Sequence, residues 1–425
     1  MMTAVLFISF FVLLALNVPI SFSLFISSLI ALWVKGIPLM VMVQRAVTAA
    51  DSFILIAIPF FMLAGNLMSG GGISRSLIGF ADSIVGSIRG GLAHVTVLSS
   101  MIISGITGSS VADASAIGTL MIPAMAKEGY KKEFASGLVA AATTVGVIIP
   151  PSIPFVIYGV ITGASIGKLF AGGMVPGILF SIFAMILSYF LCKKMDVGAP
   201  KKFSIADVLK KTREGVPALM APVIILGGII LGVVTPTEAA AVGVIYAFIA
   251  GYFIYRELKI KDLPMILLDS ALTTAVVMLM VVGAFLYSWI ITVDQVPQMV
   301  AKFVMGISND PTIVLFMFTI LFIIAGMFID LGANIILLIP VLFPVTQQLG
   351  IDPVFFGVLT VVALAIGLVT PPVGASLFIT CDIAKTNIMA SAKESLPYLA
   401  CVFLTIALMI FFPEIVMYFP NMMTK

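Results

Sequence analysis

Charged side chains are scarce in this sequence. Asp, Glu, Lys and Arg make up 10% of the 425 residues, whereas apolar residues make up 61%. So few polar side chains cannot cover a water-soluble protein of this length, and no polar stretch is long enough to form a soluble domain. The sequence therefore predicts an integral membrane protein with lipid as a partner. A net charge of +3 is too small to indicate a nucleic-acid partner.

Cysteine and histidine are scarce as well. Cys192, Cys381 and Cys401 are odd in number and far apart, so neither a disulfide framework nor a cysteine metal site is expected. We expect them to face lipid or to pack against other helices. His94 is the single histidine, which excludes sites that need two imidazoles. The first charged residue is Lys35, so the start lacks the basic region of a signal peptide, and we expect a retained membrane segment.

Glycine and proline recur at a fixed interval along the chain. Because these residues fix backbone geometry, their recurrence predicts two copies of one helical unit, residues 1–213 and 214–425. The alternative is a chance alignment of apolar sequence rich in both residues. The pairs 221 residues apart are Gly105 and Gly326, Pro123 and Pro344, Gly129 and Gly350, Gly146 and Gly367, Pro150 and Pro371, Pro151 and Pro372, and Pro176 and Pro397.

Basic residues indicate how the two copies are oriented, since Lys and Arg concentrate in short cytoplasmic loops. The segment from Lys193 to Arg213 carries seven of them. Lys127, Lys131 and Lys132 mark another cytoplasmic loop, whereas the matching segment 350–353 has no basic residue. Equivalent loops are therefore predicted on opposite sides of the membrane, which makes the repeats inverted in topology.

Each copy is predicted to contain five membrane crossings and one helical hairpin that enters the membrane and returns. The predicted fold is an all-α integral membrane protein with about ten crossings, two re-entrant hairpins and two broken helices. Residues 2–34 could instead form one tilted helix. The predicted crossings are 2–17, 19–34, 51–69, 134–163, 169–192, 216–235, 237–254, 264–292, 355–383 and 398–418, with hairpins at 90–126 and 311–347 and broken helices at 134–163 and 355–383.

The tips of both hairpins are rich in small or helix-breaking residues, over 104–113 in the first and 326–334 in the second. Non-helical backbone at membrane depth is tolerated only where it is buried in protein or lines a wet cavity. Both tips are therefore predicted to lie at a functional site, with close helix packing as the alternative. Asp113 is ionisable at this depth and is a functional candidate, unless it caps the second hairpin helix.

Two consecutive prolines interrupt each predicted broken helix, at 150–151 and at 371–372. Unwound carbonyls and the negative ends of half-helices suit a small cation, while the positive ends attract an anion. Lys and Arg are absent from both breaks, so a carboxylate substrate would be held by amides, hydroxyls and bound cations. Oxygen ligands favour Na⁺ over H⁺, because a proton-driven carrier would want more buried carboxylates than Asp113 and Asp330. A simple proline kink is the alternative at each break.

These residues resemble the large membrane subunit of the TRAP (tripartite ATP-independent periplasmic) transporters. The resemblance covers essentially the whole chain and rests on the segments 105–113 and 232–243 together with the two double prolines. It implies a multi-pass protein of the bacterial inner membrane that moves an organic acid inward with a sodium gradient. It also implies an elevator mechanism, in which hairpins and broken helices move against a scaffold of outer helices.

The same resemblance implies partners and site residues. The partners are a small four-helix membrane subunit (Q type) and a periplasmic substrate-binding protein (P type). The chain is most similar to the members that carry sialic acid, although no residue distinguishes that substrate from a C4-dicarboxylate. Two or more Na⁺ ions are implied, the first bound by Ser104, Ser109, Gly146, Ile149 and Pro151, and the second by Gly326, Gly367, Thr370 and Val373. The candidate substrate contacts are Asp113, Thr144, Ser152, Asn334 and Ser376.

Other functions fit parts of the pattern. An H⁺-coupled carrier, or an anion carrier of similar fold outside this family, would share the broken helices. An ion channel would also use them, because broken helices build selectivity filters. An intramembrane hydrolase could combine Ser109, Asp113 and His94, but the paired aspartates of one such design are missing and nothing indicates that His94 is held as a base.

Overall fold

The computed structural model describes residues 2–198 and 203–423. Lys201 and Lys202, which belong to the predicted basic loop, lie outside the described residues. The described chain forms α-helices joined by short turns. These are α1 (Met2–Ala15), α2 (Ile20–Lys35), α3 (Met40–Ala50), α4 (Ala57–Gly70), α5 (Ile73–Val85), α6 (Gly91–Thr107), α7 (Ser110–Lys127), α8 (Lys132–Thr143), α9 (Ile153–Thr162), α10 (Ile166–Met195), α11 (Ile205–Ile230), α12 (Pro236–Ile249), α13 (Leu263–Val293), α14 (Val296–Ile307), α15 (Pro311–Phe328), α16 (Leu331–Gln348), α17 (Pro353–Ala365), α18 (Ala375–Ala384), α19 (Ile388–Phe411) and α20 (Glu414–Met422).

Helices long and apolar enough to cross a membrane dominate the fold. Within the described residues there are eight such stretches, judged by length and composition. Shorter apolar helices accompany them, including the second half of the first broken helix and both halves of the second. The predicted all-α membrane architecture is therefore confirmed. The inverted orientation of the two copies stays a prediction.

The N-terminal segment forms two helices. The chain turns between α1 and α2, where Asn17 adopts a left-handed conformation with φ of 62°, and the two helices pack against each other. A single tilted helix over 2–34 is thus excluded. The three cysteines are buried, so they serve packing and do not face lipid.

Four helices were not among the predicted elements: α3, α5, α14 and α20. Each has 9 to 13 residues, too short to span a bilayer, so a search for membrane-length apolar runs passes over them. The predicted loop 193–213 is also wrong in length, because α11 already begins at Ile205. Ser204 caps this helix by accepting a hydrogen bond from the backbone N–H of Asp207 at 3.3 Å.

The two broken helices form the centre of the protein. Every residue from Phe134 to Thr143 in α8 and from Val354 to Ala365 in α17 is buried. By contrast, α13 exposes apolar side chains such as Leu267, Leu272 and Val276, as a lipid-facing helix does. The outer helices therefore shield an interior in which the breaks lie.

Candidate cation and substrate site

Both broken helices are interrupted where the prolines predict. Helix α8 ends at Thr143, passes through a 3₁₀ turn at Thr144–Val147, and the chain resumes as α9 at Ile153. Helix α17 is followed by a 3₁₀ turn at Ile366–Val369 before α18. The double prolines lie in the two gaps, and the peptide bond between the prolines is cis in each. The two breaks have the same sequence of elements.

The two hairpin tips are narrower than predicted. Helix α6 continues to Thr107 and α7 starts at Ser110, so two residues separate them instead of the ten of 104–113. In the second hairpin the helix continues to Phe328, and α16 starts at Leu331. The small residues near the tips are therefore mostly helical. Fewer backbone N–H and C=O groups lack a helical hydrogen bond than expected.

Side-chain caps explain why the tips are narrow. Ser109 accepts a hydrogen bond from the backbone N–H of Ala112 at 3.4 Å, and Asp330 accepts one from Gly332 at 3.0 Å. Each cap satisfies a backbone donor at the start of the returning helix. Ser109 fills the cap position of α7, so Asp113 does not cap this helix.

Asp113 instead bonds to the first hairpin helix. Its side chain is fully buried and accepts hydrogen bonds from the Ser104 hydroxyl at 2.9 Å and the Thr107 hydroxyl at 2.6 Å. The ion pairs found among the described residues do not include it. A Cβ added to Gly146 would lie 2.5 Å from its Oδ2 atom. The carboxylate thus touches the turn of the first break.

The first hairpin tip packs on the first break without intervening space. Gly108 has φ of +63°, and a Cβ there would lie 2.5 Å from the carbonyl oxygen of Pro151. A Cβ on Gly146 would also lie 3.0 Å from the backbone nitrogen of Ser110. The structure thereby brings together most of the first predicted cation site. Ile149 joins it through the same turn, with its N–H donating to the Val145 carbonyl at 2.9 Å.

The second hairpin tip meets the second break in the same way. A Cβ on Gly367 would clash with the carbonyl group of Gly326. The backbone N–H of Val373 donates to the Met327 carbonyl at 3.1 Å, and that of Thr370 donates to Gly367 at 3.3 Å. All four residues predicted for the second cation site therefore lie at one junction.

The predicted substrate contacts are all buried and hydrogen-bonded. Thr144 donates to the carbonyl of Ala141 at 2.7 Å, and Ser152 donates to that of Val147 at 2.6 Å. Both hydroxyls support the first break from inside. These two hydrogen bonds stabilise the first broken helix. Contact of Thr144 and Ser152 with substrate stays a prediction.

Ser376 and Asn334 make different connections. The Ser376 hydroxyl lies 2.8 Å from that of Ser110, which joins the second broken helix to the first hairpin. Asn334 donates to the carbonyl of Ile329 within its own hairpin at 2.7 Å. The sequence did not single out Thr107 or Ser110, although both flank the Gly108-Ser109 tip.

Two cavities lie beside the hairpins, each on part of the border with the outer helices. A polar cavity of about 560 Å³ lies between α7 and helices α4 and α5. An apolar cavity of about 530 Å³ lies between the second hairpin and helices α1, α13 and α14, with Asn334 on its wall. The cavities therefore differ in chemistry although the hairpins beside them correspond in sequence.

His94 lies far from the first tip. It sits near the start of α6, and its Nε2 atom is 3.2 Å from the Arg89 carbonyl oxygen. At 1.5 Å per helical residue, about 20 Å separates it from the tip at Gly108. Asp113 bonds to hydroxyls, so His94, Ser109 and Asp113 do not form a hydrolytic site.

Comparisons with known proteins agree with this architecture. The family described as "Tripartite ATP-independent periplasmic transporter, DctM component" matches residues 7–415. The sialic acid TRAP transporter large permease protein SiaM of Vibrio cholerae is 39% identical over 96% of both chains. The C4-dicarboxylate TRAP transporter large permease protein DctM of Pseudomonas aeruginosa is 38% identical, covering 88% of this chain and 87% of that protein.

Two further similarities are to a longer relative and to a solved structure. The isethionate TRAP transporter permease protein DctMQ of Oleidesulfovibrio alaskensis is 41% identical over 98% of this chain and 66% of its own length. The crystal structure of the YdaH transporter of Alcanivorax borkumensis matches with a TM-score of 0.61 at 15% identity, covering 87% of this chain and 86% of that one. At that identity the likeness concerns the fold alone.

Proposed function

We propose that this chain couples transport to sodium, since it belongs to the DctM family of tripartite ATP-independent periplasmic transporters. As a member of that family it is a multi-pass inner-membrane transport protein and not an enzyme. We propose a sialic acid or C4-dicarboxylate type of substrate, because relatives at similar identity are named for each. The word tripartite implies two further components. We propose that these are a four-helix membrane subunit (Q type) and a periplasmic substrate-binding protein (P type).

The observation that carries the sodium proposal is the position of Asp113. A fully buried carboxylate is costly unless a cation balances its charge or a proton neutralises it, and the two hydroxyl bonds do neither. The turn at Gly146 lies against this carboxylate. Carbonyl, hydroxyl and carboxylate oxygens are the ligands a small hard cation takes. A sodium ion between the first tip and the first break would balance the charge.

The second junction supports a second ion. Gly326, Gly367, Thr370 and Val373 offer backbone and hydroxyl oxygens at one place, but the residue corresponding to Asp113 is the neutral Asn334. We therefore propose two unequal sodium sites, with the stronger attraction for the ion at the first. An H⁺-coupled carrier remains the alternative, and the sodium replacement below tests it.

The packing also supports an elevator mechanism. Glycine contacts lock each hairpin tip to its broken helix, and a cavity lies beside each hairpin on part of its border with the outer helices. A body held together internally, with space along part of its border, can move as a unit. We propose that α6–α9 and α15–α18 form this moving body.

Sodium replacement tests the proposed coupling directly. The three components would be reconstituted in proteoliposomes and supplied with N-acetylneuraminate or succinate outside. We expect uptake to fall to background when K⁺ or choline replaces Na⁺, because neither suits a compact cage of oxygen ligands. Undiminished uptake would contradict the proposal. Uptake driven by a proton gradient without Na⁺ would establish the H⁺-coupled alternative, and single-channel currents would establish a channel.

A further inference from the structure

The polar cavity beside the first hairpin has a wall made by one face of α7. Ala112, Ser115 and Thr119 lie three and four residues apart and therefore share a helix face. Ser115 and Thr119 are exposed, although Asp113 and Ala114 between them and the tip are buried. Ala112 precedes Asp113 directly, so the cavity reaches within one helical turn of the first candidate ion site. A small molecule in the cavity would lie next to that site.

The opposite wall of this cavity carries an ion pair. Among the described lining residues, the one basic side chain is that of Arg75, at the start of α5. It forms an ion pair with Glu257 at 3.2 Å. The side chains of Arg75 and Glu257 are 71% and 44% exposed, and an ion pair so accessible to water contributes at most about 1 kcal/mol. Another carboxylate can therefore replace Glu257 at low cost.

The remaining polar lining completes a site for a hydroxylated anion. Asn66 and Ser69 of α4 face the cavity together with the α7 hydroxyls. A guanidinium binds a carboxylate through two parallel hydrogen bonds, which makes arginine well suited to such a ligand. The apolar cavity beside the second hairpin offers no charged side chain among its described lining residues. Of the two cavities, the polar one beside the first hairpin is thus suited to bind an organic acid.

The charges around the cavity mouth indicate the side on which it opens. A neighbouring groove shares Arg75 and Glu257 and is lined as well by Lys211 and Arg213. These basic residues mark the cytoplasmic side of the membrane. Their positive potential would attract an anion toward that mouth.

We propose that this cavity binds a carboxylate of the transported acid on its way to the cytoplasm, with Arg75 as the residue that holds it and Glu257 as the competitor that releases it. The proposal rests on the proposed function for the identity of the acid. Its test therefore measures occupancy of the cavity and does not depend on sodium-driven uptake.

Chemical labelling of Ser115→Cys tests the proposal, in a chain whose three native cysteines are replaced by alanine. Inside-out membrane vesicles would be treated with methanethiosulfonate reagents, one carrying a sulfonate and one a quaternary ammonium. In a chain that also carries Glu257→Gln, so that Arg75 is unpaired, we expect Arg75 to speed the anionic reagent and to slow the cationic one, each by about two- to threefold, since one charge at roughly 8 Å in water changes the local concentration by that factor. N-acetylneuraminate or succinate should slow labelling at least threefold.

Variants of the ion pair identify the residue responsible. Arg75→Gln should remove both the charge preference and the protection, and Arg75→Lys should keep the charge preference. Glu257→Gln should give protection at lower acid concentration. Arg213→Gln is the matched control, because Arg213 lines the neighbouring groove and not the cavity: protection should persist, with at most a small rise in the acid concentration that it needs.

Two outcomes would overturn the proposal. The first is labelling that neither acid slows while the same protein shows sodium-driven uptake, and in that case the proposed function stands alone. The second is protection that survives Arg75→Gln, which would assign the anion to another residue. Protection that needs Arg75 in a protein without sodium-dependent uptake would support the anion site and contradict the sodium coupling.

Discussion

Replacing Asp113 by asparagine is expected to abolish sodium-driven uptake and to raise the Na⁺ concentration for half-maximal thermal stabilisation by at least tenfold. The asparagine keeps an oxygen for the Ser104 or Thr107 hydroxyl but removes the negative charge beside the first break. One charge at 4 Å with an effective dielectric constant of 20 contributes about 4 kcal/mol, and a tenfold weaker affinity needs only about 1.4 kcal/mol. The measurement is thermal unfolding of the purified protein titrated with NaCl against choline chloride.

The reciprocal variant Asn334→Asp is the matched control. It places a carboxylate at the equivalent position of the second hairpin, where the native side chain donates to the Ile329 carbonyl. Because a carboxylate cannot donate that bond, the variant should lose stability, and combined with Asp113→Asn it should not restore the Na⁺ binding lost at the first junction. A NaCl midpoint of Asp113→Asn equal to that of the native protein would show that the carboxylate does not serve the ion.

Valine at Gly367 is expected to reduce uptake at least tenfold and to destabilise the fold by about 1–3 kcal/mol, the usual cost of overpacking. A Cβ at this position clashes with the Gly326 carbonyl group, and both partners are backbone, so neither side chain can move aside. The junction must open, which displaces the oxygens proposed for the second ion. The measurements are the melting temperature and the Na⁺ dependence of uptake. Gly146→Val should do the same at the first junction, against Ser110 and Asp113.

Gly306→Val provides the comparison for these glycine variants. Gly306 lies in α14 and has no heavy atom within 4 Å of an added Cβ, so uptake and Na⁺ dependence should change little. If Gly367→Val kept the native Na⁺ dependence, the second sodium site would not lie at this junction. If Gly306→Val altered the Na⁺ dependence as much as Gly367→Val, the effect would not be specific to the junction. The smaller variant Gly367→Ala keeps the test informative should the valine variant fail to fold.

Proline and glycine explain how far the sequence could predict this fold. The double prolines act locally on the backbone, so the breaks after Thr143 and Ala365 are visible without knowledge of any tertiary contact. The tips were predicted too wide because small residues allow a turn without requiring one. The caps at Ser109 and Asp330 fix where the returning helices begin. Many Ser and Asp residues could act as caps, and the sequence alone does not show which of them do.

The cross-element contacts could not be predicted. The hydroxyls of Ser110 and Ser376 meet across 266 residues of chain, and no local pattern pairs them. The Arg75 cavity is equally hidden, because Arg75 and Glu257 belong to elements separated by 182 residues. Short helices such as α5 were missed because membrane length was the criterion. Such contacts follow from how the helices pack.

The unequal cavities also have an electrical consequence. Water in the polar cavity would extend the conducting phase from one side almost to the first tip, whereas the apolar cavity beside the second hairpin insulates. A membrane voltage would then fall mainly over the part of the protein without water and not evenly across the bilayer. A sodium ion moving there, as proposed, would cross a larger share of the field, which amounts to about 2.3 kcal/mol per charge at 100 mV for the whole membrane, within a shorter displacement.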